Sequence, residues 1–186
     1  MAKVVVFNSV SIDGNFSGPD GDLSWAHRAD DPEWNEFISG NAKGEARLLF
    51  GRVTYEMMAS YWPTPMAAQN DPVVAEGMNK LPKIVFSRTL NKVTWNNTKL
   101  LKGDLAKEVR AMKDAPGADV MIFGSGTIVA QLARENLIDE YQLITVPVVL
   151  GKGKGLFDGL DHPLTLKRTK TRAFKNGNVL VCYEPG

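Results

Sequence analysis

Apolar residues in this chain gather into short, nearly unbroken runs at Val4 to Phe7, Ala46 to Phe50, Lys83 to Phe86, Val120 to Phe123 and Ile138 to Val149. Runs that leave no polar face predict strands covered on both sides. Segments of helical length lie between them: Asp31 to Asn41, Arg52 to Ser60, Asp71 to Asn79, Asp104 to Asp114 and Thr127 to Asn136. Two of these open with Asp-Pro, in which the carboxylate takes a free N–H at the helix start and the proline presets φ. The β-α-β-α order predicts a largely parallel sheet with helices on both faces. The C-terminus departs from it. Thr165 to Phe174 and Asn178 to Glu184 flank Lys175-Asn176-Gly177, where Asn-Gly supplies the positive φ values of a tight hairpin, so the sheet finishes with an antiparallel pair. Trp62 to Asp71, with Pro63 and Pro65, reads as a loop.

The chain has 186 residues, 44% hydrophobic and 23% charged, which predicts one domain, 1–186, with a core that needs no staples. Cys182 stands alone, excluding an intrachain disulfide and fitting a reducing compartment, the cytoplasm. With His27 and His162 as the only histidines, a zinc site would need mostly carboxylates, and no metal is expected. Lys and Arg number 22 against 21 Asp and Glu, so any anion site is local and nucleic acid is not an expected partner. The apolar runs are too short or too interrupted for a membrane span or a secretory core, so no membrane partner is expected.

Three strand ends carry candidate chemistry. Phe50-Gly51-Arg52-Val53-Thr54 runs from a strand into a helix, joining free N–H groups, a guanidinium and a hydroxyl in an arrangement suited to phosphate. Phe123-Gly124-Ser125-Gly126-Thr127-Ile128 brings small residues to another helix start, leaving room for a pyrophosphate. Ser87-Arg88-Thr89 offers hydroxyls and a cation after a third strand, compatible with a 2′-phosphate. Each alone also reads as an ordinary turn; their shared position at the carboxyl ends of parallel strands favours a ligand. Neither the Rossmann fingerprint nor a P-loop is present, since GSGTIV and GKGKG at Gly151 to Gly155 complete neither pattern.

The ordered set SVSIDG, GRVTYE, VFSRTL, FGSGTIV and LIDE followed by PVVLGKG resembles the dihydrofolate reductase superfamily, and more closely its branch with the C-terminal reductase domain of the bacterial bifunctional riboflavin-pathway deaminase-reductase. The resemblance covers nearly the whole chain. It implies a three-layer α/β fold with a mostly parallel eight-stranded sheet and an antiparallel C-terminal strand. It also implies an NADPH-dependent reductase that works as a homodimer on a small-molecule substrate. In the same terms, Gly51, Arg52 and Thr54 hold cofactor phosphates and Ser87 and Arg88 surround the 2′-phosphate. Gly124, Ser125, Gly126, Thr127 and Ile128 receive the pyrophosphate, and Ser9, Phe16 and Ser17 border the nicotinamide.

Dihydrofolate reductases place a carboxylate early in the first helix to support protonation of the pterin; the matching position here is Trp34. Asp30, Asp31 and Glu33 are near, with Asp31 expected as the N-cap. Thr145 matches the threonine that partners the absent acid. This favours reduction of an aminopyrimidine ribosyl phosphate of riboflavin synthesis, with Asp13 as the acid or as a turn residue. The alternatives are pterin reduction and an NADPH-binding module without turnover. Met57, Met58, Trp62 and Trp25 suit either core packing or the wall of a flat heterocycle pocket. Lys152 and Lys154 hold a substrate phosphate or sit in a solvated loop. The run Tyr141 to Leu150 is either core or dimer interface.

Overall fold

The computed structural model describes residues 1–26 and 31–186. In chain order the elements are β1 (Val4–Ser11), β2 (Asn15–Ser17), α1 (Pro32–Ala42), β3 (Ala46–Gly51), α2 (Arg52–Tyr61), α3 (Pro65–Asn70), α4 (Pro72–Lys80), β4 (Lys83–Phe86), β5 (Thr98–Leu101), α5 (Leu105–Asp114), β6 (Asp119–Phe123), α6 (Gly126–Arg134), β7 (Glu140–Val146), β8 (Lys154–Gly155), β9 (Leu166–Ala173) and β10 (Val179–Pro185). Eight strands form one sheet in the order β5-β4-β3-β6-β1-β7-β10-β9, while β2 and β8 pair separately. From β5 to β7 every pairing is parallel; β10 runs antiparallel to both β7 and β9. Among the described residues, no helix is long and apolar enough to cross a membrane.

Alternation along the strands builds the three layers. Val4, Val6, Leu49, Val120 and Ile122 face one side and pack against Leu105 and Val109 of α5 and Ile128, Val129 and Leu132 of α6. Leu48, Phe50 and Val85 face the other side, with Tyr55 of α2 and Met78 of α4. Ile144, Val146, Leu180 and Cys182 meet Trp34 and Phe37 of α1 there. Both edges of β7 are paired within the chain, and Tyr141, Ile144 and Val146 of the run are buried in the core, whereas Val149 beyond the strand is mostly exposed.

Several local expectations need correction. The stretch Trp62 to Asp71, expected as a loop, contains α3, because Pro65 is its first residue and the Thr64 hydroxyl caps it, accepting from the Ala67 N–H at 3.2 Å. The Asp31 carboxylate caps α1 through the Glu33 and Trp34 N–H groups, whereas the Asp71 side chain makes no cap bond on α4. In the hairpin, Phe174 and Asn178 close the loop Lys175-Asn176-Gly177 as expected, but only Gly177 has positive φ, at 91°, and Asn176 does not share it. Strand β5 has no counterpart in the sequence pattern, being a short, partly buried edge segment.

Lys83 is fully buried inside this frame, and its Nζ donates to the carbonyls of Met78, Asn79 and Leu81 at 2.8, 3.1 and 2.7 Å while lying 4.5 Å from the Trp95 ring centre. It therefore closes the C-terminal end of α4, where cations are favoured. Burial nevertheless pushes its pKa down to about 8, below the ordinary lysine value. Between that value and the lysine pKa of about 10.4 in the unfolded chain, the unfolded state binds more protons, so stability rises with pH across that window. Urea denaturation should find the wild type gaining on Lys83→Met as pH rises from about 8 to 10; a constant difference between the two would refute this reading of Lys83.

Candidate active site

The carboxyl ends of the central strands open onto a cavity of about 750 Å³. Its floor is a hydrogen-bonded knot joining three segments. The Asn8 side chain on β1 accepts from the Gly124 N–H at 2.6 Å and donates to the Gly124 carbonyl at 3.2 Å. Ser125 donates from both its N–H (3.1 Å) and its hydroxyl (3.0 Å) to the Thr54 hydroxyl oxygen on α2, and its own oxygen accepts from the Gly51 N–H at 3.0 Å. Ser125 occupies the left-handed region, at φ 59° and ψ 46°, which disfavours a residue with a β-carbon. These bonds hold it there. Gly124, also at positive φ, lies so near Thr54 that a β-carbon would stand 3.0 Å from the hydroxyl oxygen.

All thirteen residues expected around a dinucleotide line this one cavity: Ser9, Phe16, Ser17, Gly51, Arg52, Thr54, Ser87, Arg88, Gly124, Ser125, Gly126, Thr127 and Ile128. Thr54 and Ser125 are buried and occupied with each other, so they shape the turn. Ser87 likewise accepts from the Thr89 and Leu90 N–H groups, fixing the turn that carries Arg88. Arg52 donates to Glu56 at 3.0 Å, a half-exposed pair that orients the guanidinium and adds little stability.

The wall is biased towards cations: Arg52, Arg88, Lys102, Arg134 and Lys154 against Asp104 and Glu135. Both acids are engaged. Asp104 caps α5 through the Lys107 N–H at 2.8 Å, and Glu135 accepts from Arg110 at 2.6 Å. Such a wall suits a multiply charged anion.

A family model, the RibD C-terminal domain, matches residues 2–180. The chain belongs to the RibD C-terminal domain family. Two Bacillus subtilis (strain 168) proteins resemble this RibD-type chain along nearly its full length. The uncharacterized protein YyaP is 27% identical over 181 residues, covering 97% of this chain and 94% of that protein. The uncharacterized protein YwjB is 24% identical over 172 residues, 92% of each. A putative riboflavin biosynthesis protein from Shewanella sp. PV-4 shares the fold at TM-score 0.76 and 22% identity, covering 100% of this chain and 99% of the other. Dihydrofolate reductase from Enterococcus faecalis, solved with NADP(H) and RAB-propyl, does so at TM-score 0.66 and 14% identity over 99% and 96%. The dihydrofolate-reductase-like architecture of this RibD-type chain is thereby established.

The remaining candidates are placed differently. Met57 and Met58 line the cavity, as do the apolar Phe7, Leu23 and Ala26. Trp62 stands behind that wall, its Nε1 donating to the Met58 sulfur at 3.0 Å, and Trp25 packs against the third core with its Nε1 on the Asp22 carbonyl. Asp13 is outside the cavity lining. Its carboxylate accepts from the Ser11 hydroxyl (2.7 Å), the Leu150 N–H (3.1 Å) and the Gly151 N–H (2.8 Å), which hold its pKa down at about 2. Ionised at neutral pH and fully engaged, it braces two loops and is unsuited to donate a proton.

Thr145 is paired in register with Val10, which faces the α5–α6 layer, so alternation turns Ile144 and Val146 towards α1. Thr145 therefore lies on the face away from α1, and no partner on that helix replaces the absent acid. Trp34 meets the Phe174 ring edge-on at 5.0 Å between centroids, Glu33 accepts from Arg172 at 2.7 Å, and Asp31 is the N-cap; Asp30 and His27 lie outside the described residues. Sequence reading missed Asn8, although a polar residue inside the run Val4 to Val10 was the signal for it. It also missed Lys102 and Gln131 on the cavity wall.

Thr54→Val would leave the buried Ser125 N–H and hydroxyl without their acceptor, a loss of roughly 1–3 kcal/mol. Urea denaturation should register a fall in unfolding free energy of that order; a change of only a few tenths would mean that the knot does not support the turn.

Proposed function

We propose that this protein is an NADPH-dependent reductase acting on a planar heterocycle, of the type that reduces 5-amino-6-(5-phosphoribosylamino)uracil in riboflavin synthesis. The observation that carries the reading is the knot of Asn8, Gly51, Thr54, Gly124 and Ser125 beneath a cation-rich cavity. Family membership supports the reductase part of it.

The cavity fits the cofactor in three respects. Gly124 and Gly126 let the Thr54 side chain and the Phe16 ring pack against the start of α6, a helix N-terminus whose free N–H groups favour a pyrophosphate. Arg88, presented by the Ser87 turn, and Arg52 would hold phosphate by charge-assisted hydrogen bonds. Ser9, Phe16 and Ser17 would border the nicotinamide, next to Phe7, Met57 and Met58. When bound, the dinucleotide supplies the hydride. The chain's contribution is orientation and exclusion of water: the sulfur-rich wall on α2 would press a flat ring against the cofactor's reactive face.

Thermal-shift titration with NADPH and, separately, NADH tests this directly. NADPH at roughly a hundred times its dissociation constant should add about 3 kcal/mol of stability. NADH should add clearly less, and the difference should vanish in Arg52→Ala/Arg88→Ala. No shift with either nucleotide would remove the reductase reading.

A further inference from the structure

The GKGKG segment, Gly151 to Gly155, enters the account above only through Lys154 on the cavity wall, yet each of its glycines answers a geometric demand. Gly151 has φ +69°, and its N–H donates to Asp13 at 2.8 Å. At Gly153 a β-carbon would run into the Ser17 carbonyl, so the backbone of this loop lies directly against β2. Gly155 donates to the Asp158 carboxylate at 2.8 Å and has no room for a side chain beside it. The segment is thus clamped by carboxylates at both ends, and the side chains it displays are Lys152 and Lys154. Only the second of these lines the cavity.

The position of Lys154 follows from its pairing. It stands opposite Ser17 in the β2–β8 ladder. Two residues on, the Leu156 carbonyl lies 3.5 Å from where a β-carbon of Gly126 would be, and the Phe16 ring lies 2.7 Å from the same point. The β2–β8 pair therefore covers the start of α6. A cation on the cavity wall near the positive end of a helix is stabilised when an anion comes between them. Asp158, an acid close by in the chain, is already committed to the Gly155 N–H.

We propose that Lys154 is a cofactor-binding residue that engages the pyrophosphate of the dinucleotide from the loop side of the cavity, opposite the start of α6. The assignment rests on the NADPH reading. It gives the GKGKG loop a definite role, in which two carboxylate clamps and a glycine against β2 hold one ammonium group over the phosphates.

Binding by wild type, Lys154→Met and Lys154→Arg can be compared by calorimetric titration with NADP⁺ and with adenosine 2′-monophosphate, which carries the 2′-phosphate and lacks the pyrophosphate. Lys154→Met should weaken NADP⁺ about tenfold, as expected for loss of one charge-assisted hydrogen bond at a partly exposed site. It should leave adenosine 2′-monophosphate unchanged, and Lys154→Arg should retain most of the NADP⁺ affinity. An equal loss for both ligands would place Lys154 at the 2′-phosphate and overturn the proposal. Unchanged NADP⁺ affinity would overturn it as well, leaving a substrate phosphate as the remaining ligand for the lysine. Failure of the wild type to bind either nucleotide would instead remove the NADPH reading itself.

Discussion

The site depends on a backbone that an ordinary helix start would not adopt. Ser125 sits in the left-handed region at the head of α6, a conformation that disfavours any residue with a β-carbon. Asn8, Gly51 and Thr54 hold this turn through five hydrogen bonds to Gly124 and Ser125. These partners come from different strands and turns, so the knot sets the relative position of β1, β3 and β6 at their carboxyl ends. Around it the wall carries two kinds of side chain: the cations Arg52, Arg88, Lys102, Arg134 and Lys154, and the apolar Phe7, Met57 and Met58.

That division has a counterpart in the helix layers. Where an acid would face the sheet from α1, this chain has Trp34 packed edge-on against Phe174, and the neighbouring Glu33 is paired with Arg172 of β9. The proton-handling device of a pterin reductase is replaced by packing at these positions. On the proposed reading, the chemistry would fall more heavily on the cofactor, and the demands on the protein would be shape and dryness. Trp62 serves those demands from behind the wall, because its Nε1 contact fixes the Met58 thioether. Asn79 in turn holds the Trp62 carbonyl and accepts from Trp95.

Much of the architecture is legible in the sequence because the central strands are buried on both faces, which makes runs such as Val4 to Phe7 and Leu48 to Phe50 unmistakable. The cavity-lining positions are legible because they concentrate in strand-to-helix turns rich in Gly, Ser and Arg. What escapes depends on long-range geometry. β2 and β8 exist only through each other, and nothing local in Asn15 to Ser17 announces a strand. Asp13 looks like a turn residue or an acid, while its partners Leu150 and Gly151 lie far along the chain. For Thr145 the difficulty is register, since a shift of one residue exchanges the face towards α1 for the face towards α6. Pro65 has the look of a helix breaker where it begins a helix.

If the three turns bind one dinucleotide in one orientation, a crystal structure of the protein with NADP⁺ will show it most directly. The 2′-phosphate is expected beside Ser87 and Arg88, the pyrophosphate at Gly124 to Ile128, and the nicotinamide next to Ser9 and Phe16. A nucleotide bound in the reverse direction, or outside this cavity, would contradict that arrangement.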